Sequence, residues 1–296
     1  MLKNLIQYIT KLLIQPFIRH EICRMNSYSG INTGNLRDIP VIVSLTSTRS
    51  RFGLLQISLF SLLNQTFKPD KIILWLDEET EDMTTLPYEI TGFIKNGLEI
   101  RFVKSIKSYT KTIYALKNYS DSIVVTADDN VYYRKDWLRK LYLSYIASPK
   151  DVHVHRAYEV SLSDDGKSLF FGEDWSPPVK YESACYSNFL SGDGGILYPP
   201  KCFGSEYLRE DIFLKNSPFS DDLWFWVMAL VHNKKIRVVK EHYNYFLKCC
   251  TCKNILKNYE QNFPDNVEIR ALMKFYGQNI INRLNEETQY QNNSTL

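Results

Sequence analysis

Two adjacent carboxylates, Asp128 and Asp129, follow the β-branched and apolar run Ser122-Ile123-Val124-Val125-Thr126-Ala127. The run predicts a short buried strand, and in an open α/β sheet ligands gather outside the carboxyl ends of the strands. Paired carboxylates there suit a hard divalent cation held against substrate phosphates, so the expected ligand is a metal-bridged nucleotide diphosphate. The plainer alternative is a strand end that turns into a loop, where Asp is common. Three further groups could share that edge. Thr46 to Arg49 follow the apolar run Val41 to Leu45, Asp77 ends Lys71-Ile72-Ile73-Leu74-Trp75-Leu76, and Lys111 precedes the aspartates by one helical pattern. Arg49 can approach a phosphate with two donors, Asp77 can accept from ribose hydroxyls or a base edge, and Lys111 can neutralise a phosphate. For Asp77 a solvated turn is the alternative, because Glu78, Glu79, Glu81 and Asp82 follow it.

The elements that must position these groups alternate. Largely apolar runs at 41–46, 71–76 and 122–127, with a further strand pattern at 98–103, are separated by helical patterns over Leu54 to Leu63 and Thr110 to Asn118. Such alternation predicts an α/β fold whose mostly parallel sheet is flanked by helices. No GxGxxG follows the first strand and no GxxxxGK[ST] occurs, which argues against a dinucleotide dehydrogenase and a P-loop NTPase. The 36 basic and 33 acidic side chains nearly cancel, unlike the basic excess of a nucleic-acid binder. Six cysteines in a chain of 296 residues do not form a disulfide scaffold, and reduced thiols in a cytoplasmic setting are expected. Cys249, Cys250 and Cys252, with His242 nearby, lack a second pair to complete a zinc ligand set.

Residues 2 to 15 place Leu2, Leu5, Ile6, Ile9, Leu12 and Leu13 at helical spacing before Pro16. This N-terminal amphipathic helix either packs on the protein's own core or lies peripherally on the cytoplasmic face of an anionic inner membrane. A Gly-, Ser- and Asn-rich linker, 26–35, leads into the main domain.

Val41 to Arg51, Ser58-Leu59-Phe60-Ser61-Leu62-Leu63-Asn64-Gln65-Thr66, Ile72 to Asp77 and Val125 to Asn130 together resemble the nucleotide-sugar domain of GT-A-fold glycosyltransferases, especially the family-2-like bacterial enzymes. The resemblance implies a GT-A type, Rossmann-like domain over 37–284, with a nucleotide-sugar half at 37–135, an acceptor half at 136–284 and a flexible tail from 285. It implies a nucleotide-diphospho-sugar donor, a hydroxyl of a glycan as acceptor, and Mn2+ or Mg2+ as cofactor. Asp77 would hold the nucleoside, Asp128 the ribose side and Asp129 the metal. Asn130 stands where many relatives have a third aspartate and can offer its carbonyl oxygen, and His242 is a candidate further ligand. Similar bacterial enzymes build lipopolysaccharide or capsule. The competing classes are a sugar nucleotidyltransferase, which usually carries a glycine- and arginine-rich phosphate loop, and a non-catalytic carbohydrate-binding protein.

In the second half, Ser191-Gly192-Asp193-Gly194-Gly195 lets the backbone approach a ligand closely or simply forms a tight turn, and it resembles the acceptor-side segment of the same enzymes. In Ser220-Asp221-Asp222, Ser220 or Asp221 can cap the helix that follows, which explains one aspartate but not both. By the resemblance Asp222 is the base that deprotonates the acceptor and Asp221 a cap or an acceptor contact. His153 and His155 are expected to be packing residues, a helix is expected over Arg134 to Ile146, and another over Val267 to Leu284.

Overall fold

The computed structural model describes residues 29–34, 36–163, 169–171, 179, 183–239, 246–248 and 267–293. The N-terminal amphipathic helix, His242 and the cysteine cluster at 249–252 lie outside them. The chain divides into two compact units. Among the described residues the first takes 29–106, 110–140 and 246–248, and the second takes 107–109, 141–239 and 267–293. The expected division of the main domain fell at 135/136.

The first unit begins with β1 (Val41–Thr46), α1 (Phe52–Leu63), β2 (Lys71–Asp77), α2 (Tyr88–Thr91), β3 (Leu98–Val103), α3 (Thr110–Asn118), β4 (Ile123–Thr126) and β5 (Val131–Tyr133). Four strands pair in the order β3-β2-β1-β4, all parallel. β1, β2 and β4 are buried along almost their whole length, as their continuous apolar runs predict for strands covered on both faces. β3 is the edge strand and alternates with Glu99 and Arg101, which join Lys71 in an ion-pair group along that edge. The α3 helix packs on β1, β2 and β4, and its Tyr114 stacks on Trp75 beside Ile42 and Ile73. Nine of the twelve residues of α1 are buried, and a Cβ at Gly30 would come within 2.3 Å of Leu63, so that close approach demands glycine.

Helix α4 (Trp137–Ala147) follows. The second unit then runs through β6 (Val152–Val154), β7 (Ala157–Leu162), β8 (Leu169–Phe171), β9 (Ser183–Cys185), β10 (Asn188–Leu190), β11 (Ile196–Tyr198), α5 (Glu210–Asn216), α6 (Asp221–Val231) and β12 (Ile236–Val238). Its strands are mixed. β6 pairs parallel with β12 and antiparallel with β11, β12 pairs antiparallel with β9, and β10-β7-β8 form a separate antiparallel sheet. Strand β13 (Phe246–Lys248) belongs to the first unit, where it pairs antiparallel with β5. The last helix, α7 (Val267–Asn293), packs on α6. It continues past Leu284, where the apolar periodicity stops and a flexible tail was expected. Glu287 explains part of that extension, because its carboxylate accepts from the backbone amides of Tyr186 and Ser187, each at 2.9 Å. Arg283 and Glu286 add a pair one turn apart.

The fold is thus α/β, with a parallel core in the first unit and mixed strands in the second. Among the described residues no helix is long and apolar enough to cross a membrane.

Candidate functional site

Parallel pairing brings the carboxyl ends of β1, β2 and β4 to one edge of the first unit. At that edge Asp128, Asp129 and Asn130 alternate. Asp129 is 5% exposed and points inward, while its two neighbours are partly exposed. Both oxygens of Asp129 are engaged: Oδ2 accepts from Arg51 Nε at 2.8 Å and from Ser47 Oγ at 2.7 Å, and Oδ1 accepts from Arg51 Nη2. Burial pushes the Asp129 carboxyl above its ordinary pKa, against the pull of Arg51 and Ser47. Asp128 Oδ1 accepts from Lys111 Nζ at 2.7 Å, and that lysine is 7% exposed. The backbone amide of Asp128 donates to Tyr133 Oη at 2.7 Å.

A column of buried polar residues on α1 explains why this segment is fixed. Ser58, Ser61 and Gln65 recur at helical spacing on one face, the last just beyond the helix end. Ser58 Oγ accepts from the amide of Val131 and Ser61 Oγ from that of Tyr133, both at 3.0 Å. Gln65 accepts from the amide of Leu138 at 3.0 Å and donates to the carbonyl of Arg134 at 2.9 Å. Thr66 Oγ1 donates to the carbonyl of Lys135 and to Asp136 Oδ1. Ser58, Ser61, Gln65 and Thr66 therefore serve as a stitch that holds the chain just beyond the carboxylates.

Other expected site residues have local partners. Thr46 Oγ1 donates to the carbonyl of Trp75 at 2.9 Å. Arg49 is bidentate on Glu81, at 3.0 and 2.6 Å, and is half exposed. It is Arg51, two residues on, that reaches the aspartates, because a 3-10 turn over Arg49–Arg51 sends the two arginines to different partners. Asp77 Oδ1 accepts from the amide of Glu79 at 3.2 Å, so the aspartate shapes the turn that follows β2.

The partners of the carboxylates decide whether a divalent ion fits. A hard cation needs carboxylate oxygens, and here Arg51, Ser47 and Lys111 already hold three of the four on Asp128 and Asp129. Among the described residues no group of three or more His, Cys, Asp or Glu is placed to hold a metal ion. The described residues as arranged do not fit a divalent ion.

In the second unit, Ser220 is the helix cap, its Oγ accepting from the amide of Leu223 at 3.2 Å. Asp221 is therefore not the cap; it is buried in the first turn of α6. Asp222, beside it, is partly exposed, and its Oδ2 accepts from the backbone amide of Gly192 at 3.0 Å. The turn that carries Gly192 is tied down by Asp193, which accepts from Ser191 Oγ at 2.8 Å and pairs with Arg156 at 2.6 Å. Tyr158 lies in the field of the same group, and burial raises its phenol pKa, with Asp193 and Asp222 adding to the rise. Arg156, Tyr158 and Arg51 carry no motif, and only the fold brings them to these carboxylates. His153 is a packing residue: its ring bonds Ser144 Oγ at 2.8 Å and the carbonyl of Ser148 at 3.0 Å, and burial lowers its pKa to about 4.

No family model matches this sequence, and a search of curated proteins finds no match to it.

Proposed function

We propose that the protein is a glycosyltransferase that moves a sugar from a nucleotide-diphosphate donor to a hydroxyl of a glycan acceptor. The observation that carries this reading is the edge of the first unit, where three parallel strands end in Ser47 to Arg51, Asp77 and Asp128 to Asn130 with Lys111 alongside. Hydroxyl-binding carboxylates and phosphate-binding cations at the carboxyl ends of parallel strands suit a nucleoside diphosphate. Lys111 is the cation the chain itself supplies for the diphosphate, and Asp77 and Asp128 are the acceptors for the nucleoside and ribose.

The transfer is a single displacement with inversion. Asp222 takes the proton of the acceptor hydroxyl, the acceptor oxygen bonds the anomeric carbon, and the bond from that carbon to the phosphate oxygen breaks. Its electron pair leaves with the nucleoside diphosphate. No step is routed through a divalent ion. A role in bacterial surface-polysaccharide synthesis, and peripheral contact of residues 2–15 with the inner membrane, belong to the same proposal.

A thermal-shift screen of UDP-hexoses and GDP-mannose tests it, because a molecule that binds the native state raises the unfolding temperature. A shift from one sugar nucleotide, and release of nucleoside diphosphate from it, are expected. Neither binding nor release from any of them would overturn the reading.

A further inference from the structure

We infer that Gly192 is a positioning residue that fixes the orientation of the Asp222 carboxylate; this rests on the reading of Asp222 as the base. Three observations within the second unit carry it. The amide of Gly192 donates to Asp222 Oδ2 at 3.0 Å. A Cβ built on Gly192 would lie 2.8 Å from Asp222 Oδ1 and 3.5 Å from both Cγ and Oδ2. No other atom ranks among its three nearest neighbours, and Gly192 is not among the glycines with positive φ, which are Gly97 and Gly195. Backbone conformation therefore does not demand glycine at 192. What a side chain there would meet is the carboxylate of Asp222, which would have to turn away from its present orientation.

The turn is built to hold that amide still. Gly195 takes the left-handed conformation at φ 86°, its amide donates to the carbonyl of Gly192 at 2.9 Å, and the amide of Ser191 donates to the carbonyl of Arg156 at 3.1 Å. With the Arg156–Asp193 pair, these bonds fix the turn from both sides. Ser220 fixes the start of α6, so one oxygen of Asp222 is pinned by an amide while the missing side chain leaves room for the other.

The test is a double-mutant cycle on full-length protein, read as nucleoside diphosphate released from the UDP-hexose or GDP-mannose that gives the largest thermal shift, with water as acceptor. Asp222→Asn lowers kcat by ~100-fold or more. Gly192→Ala lowers kcat by ~10-fold or more and leaves KM for the donor unchanged, as misplacement of a catalytic group does. The double variant is no slower than Asp222→Asn alone, because a residue that acts only through Asp222 has nothing left to lose. Additive losses, or a Gly192→Ala protein with parental kcat, overturn the inference and leave the glycosyltransferase reading standing. Absence of turnover in the parent, or full turnover in Asp222→Asn, overturns the assignment of Asp222 as base and the inference with it. Should Gly192→Ala unfold, the cycle is read as unfolding temperature with Asp222→Ala as partner: relief of the destabilisation supports the contact, and no relief overturns it.

Discussion

In the first unit Asp129 is buried with a guanidinium and a hydroxyl on its two oxygens, whereas in the second unit Asp222 is partly exposed and one of its oxygens accepts from the backbone amide of Gly192. A bidentate arginine pair is directional and saturating, so Asp129 is suited to holding a strand end in place. The Gly192 amide orients the Asp222 carboxylate, and its partial exposure suits it to meeting an acceptor hydroxyl and exchanging a proton. Neighbouring aspartates differ in the same way within each unit, Asp128 outward and Asp129 inward, Asp222 outward and Asp221 inward. In these two doublets, therefore, one aspartate is buried in the structure and the other is partly exposed.

The sharpest way to break that contrast is Asp222→Asn. It is expected to lower nucleoside diphosphate release by ~100-fold or more while leaving the donor-induced thermal shift intact. Loss of the shift would instead make Asp222 a binding or structural group. Arg51→Met comes next and acts on stability. It leaves Asp129 buried without its cation, and because Arg51 is itself a third exposed the expected cost is about 2 kcal/mol rather than the full value for a buried pair. Denaturant unfolding measures it; an unchanged midpoint would remove Asp129 from its anchoring role.

Acidification probes the second unit through His153. His153 has a folded pKa depressed by burial from 6.5 to about 4, so its neutral ring contributes stability above 6.5 that is lost as pH falls toward 4. Over that window the loss is on the order of 3 kcal/mol, and His153→Gln should flatten it in unfolding curves. The smallest expected effect is on donor binding. Lys111→Met should weaken binding of the sugar nucleotide by roughly tenfold, as loss of one charge-assisted contact does. EDTA should leave the thermal shift of the parent unchanged, and a shift that requires Mn2+ would put a metal where Lys111 is placed.

The parts legible in the sequence were those with one strong local cause. β1, β2 and β4 follow from apolar runs too continuous for a surface strand, and a helix start at Ser220 or Asp221 follows from the apolar pattern behind it, although the choice of Ser220 as cap needed the structure. Which aspartate faces outward was not legible, because inward and outward carboxylates look alike until a partner is known. The partner of Asp129 lies 78 residues away in sequence, and the choice of Arg51 over Arg49 depends on a single 3-10 turn. Most of the short strands from 157 to 198 were opaque for another reason. At three to six residues they are held by pairings such as Asn188 with Glu159, which no periodicity within a strand announces.

The stitch between α1 and the chain beyond β4 has a consequence for how this protein can vary. Val131, Tyr133 and Leu138 each meet a fixed polar atom on or just after the helix, so a residue inserted or deleted between 127 and 138 would strand several buried amides at once. The side chains at 128 and 130, by contrast, are partly exposed at the edge. The segment is locked in length and open in chemistry, so new ligand preferences at this edge can arise by exchange of side chains on an unaltered frame.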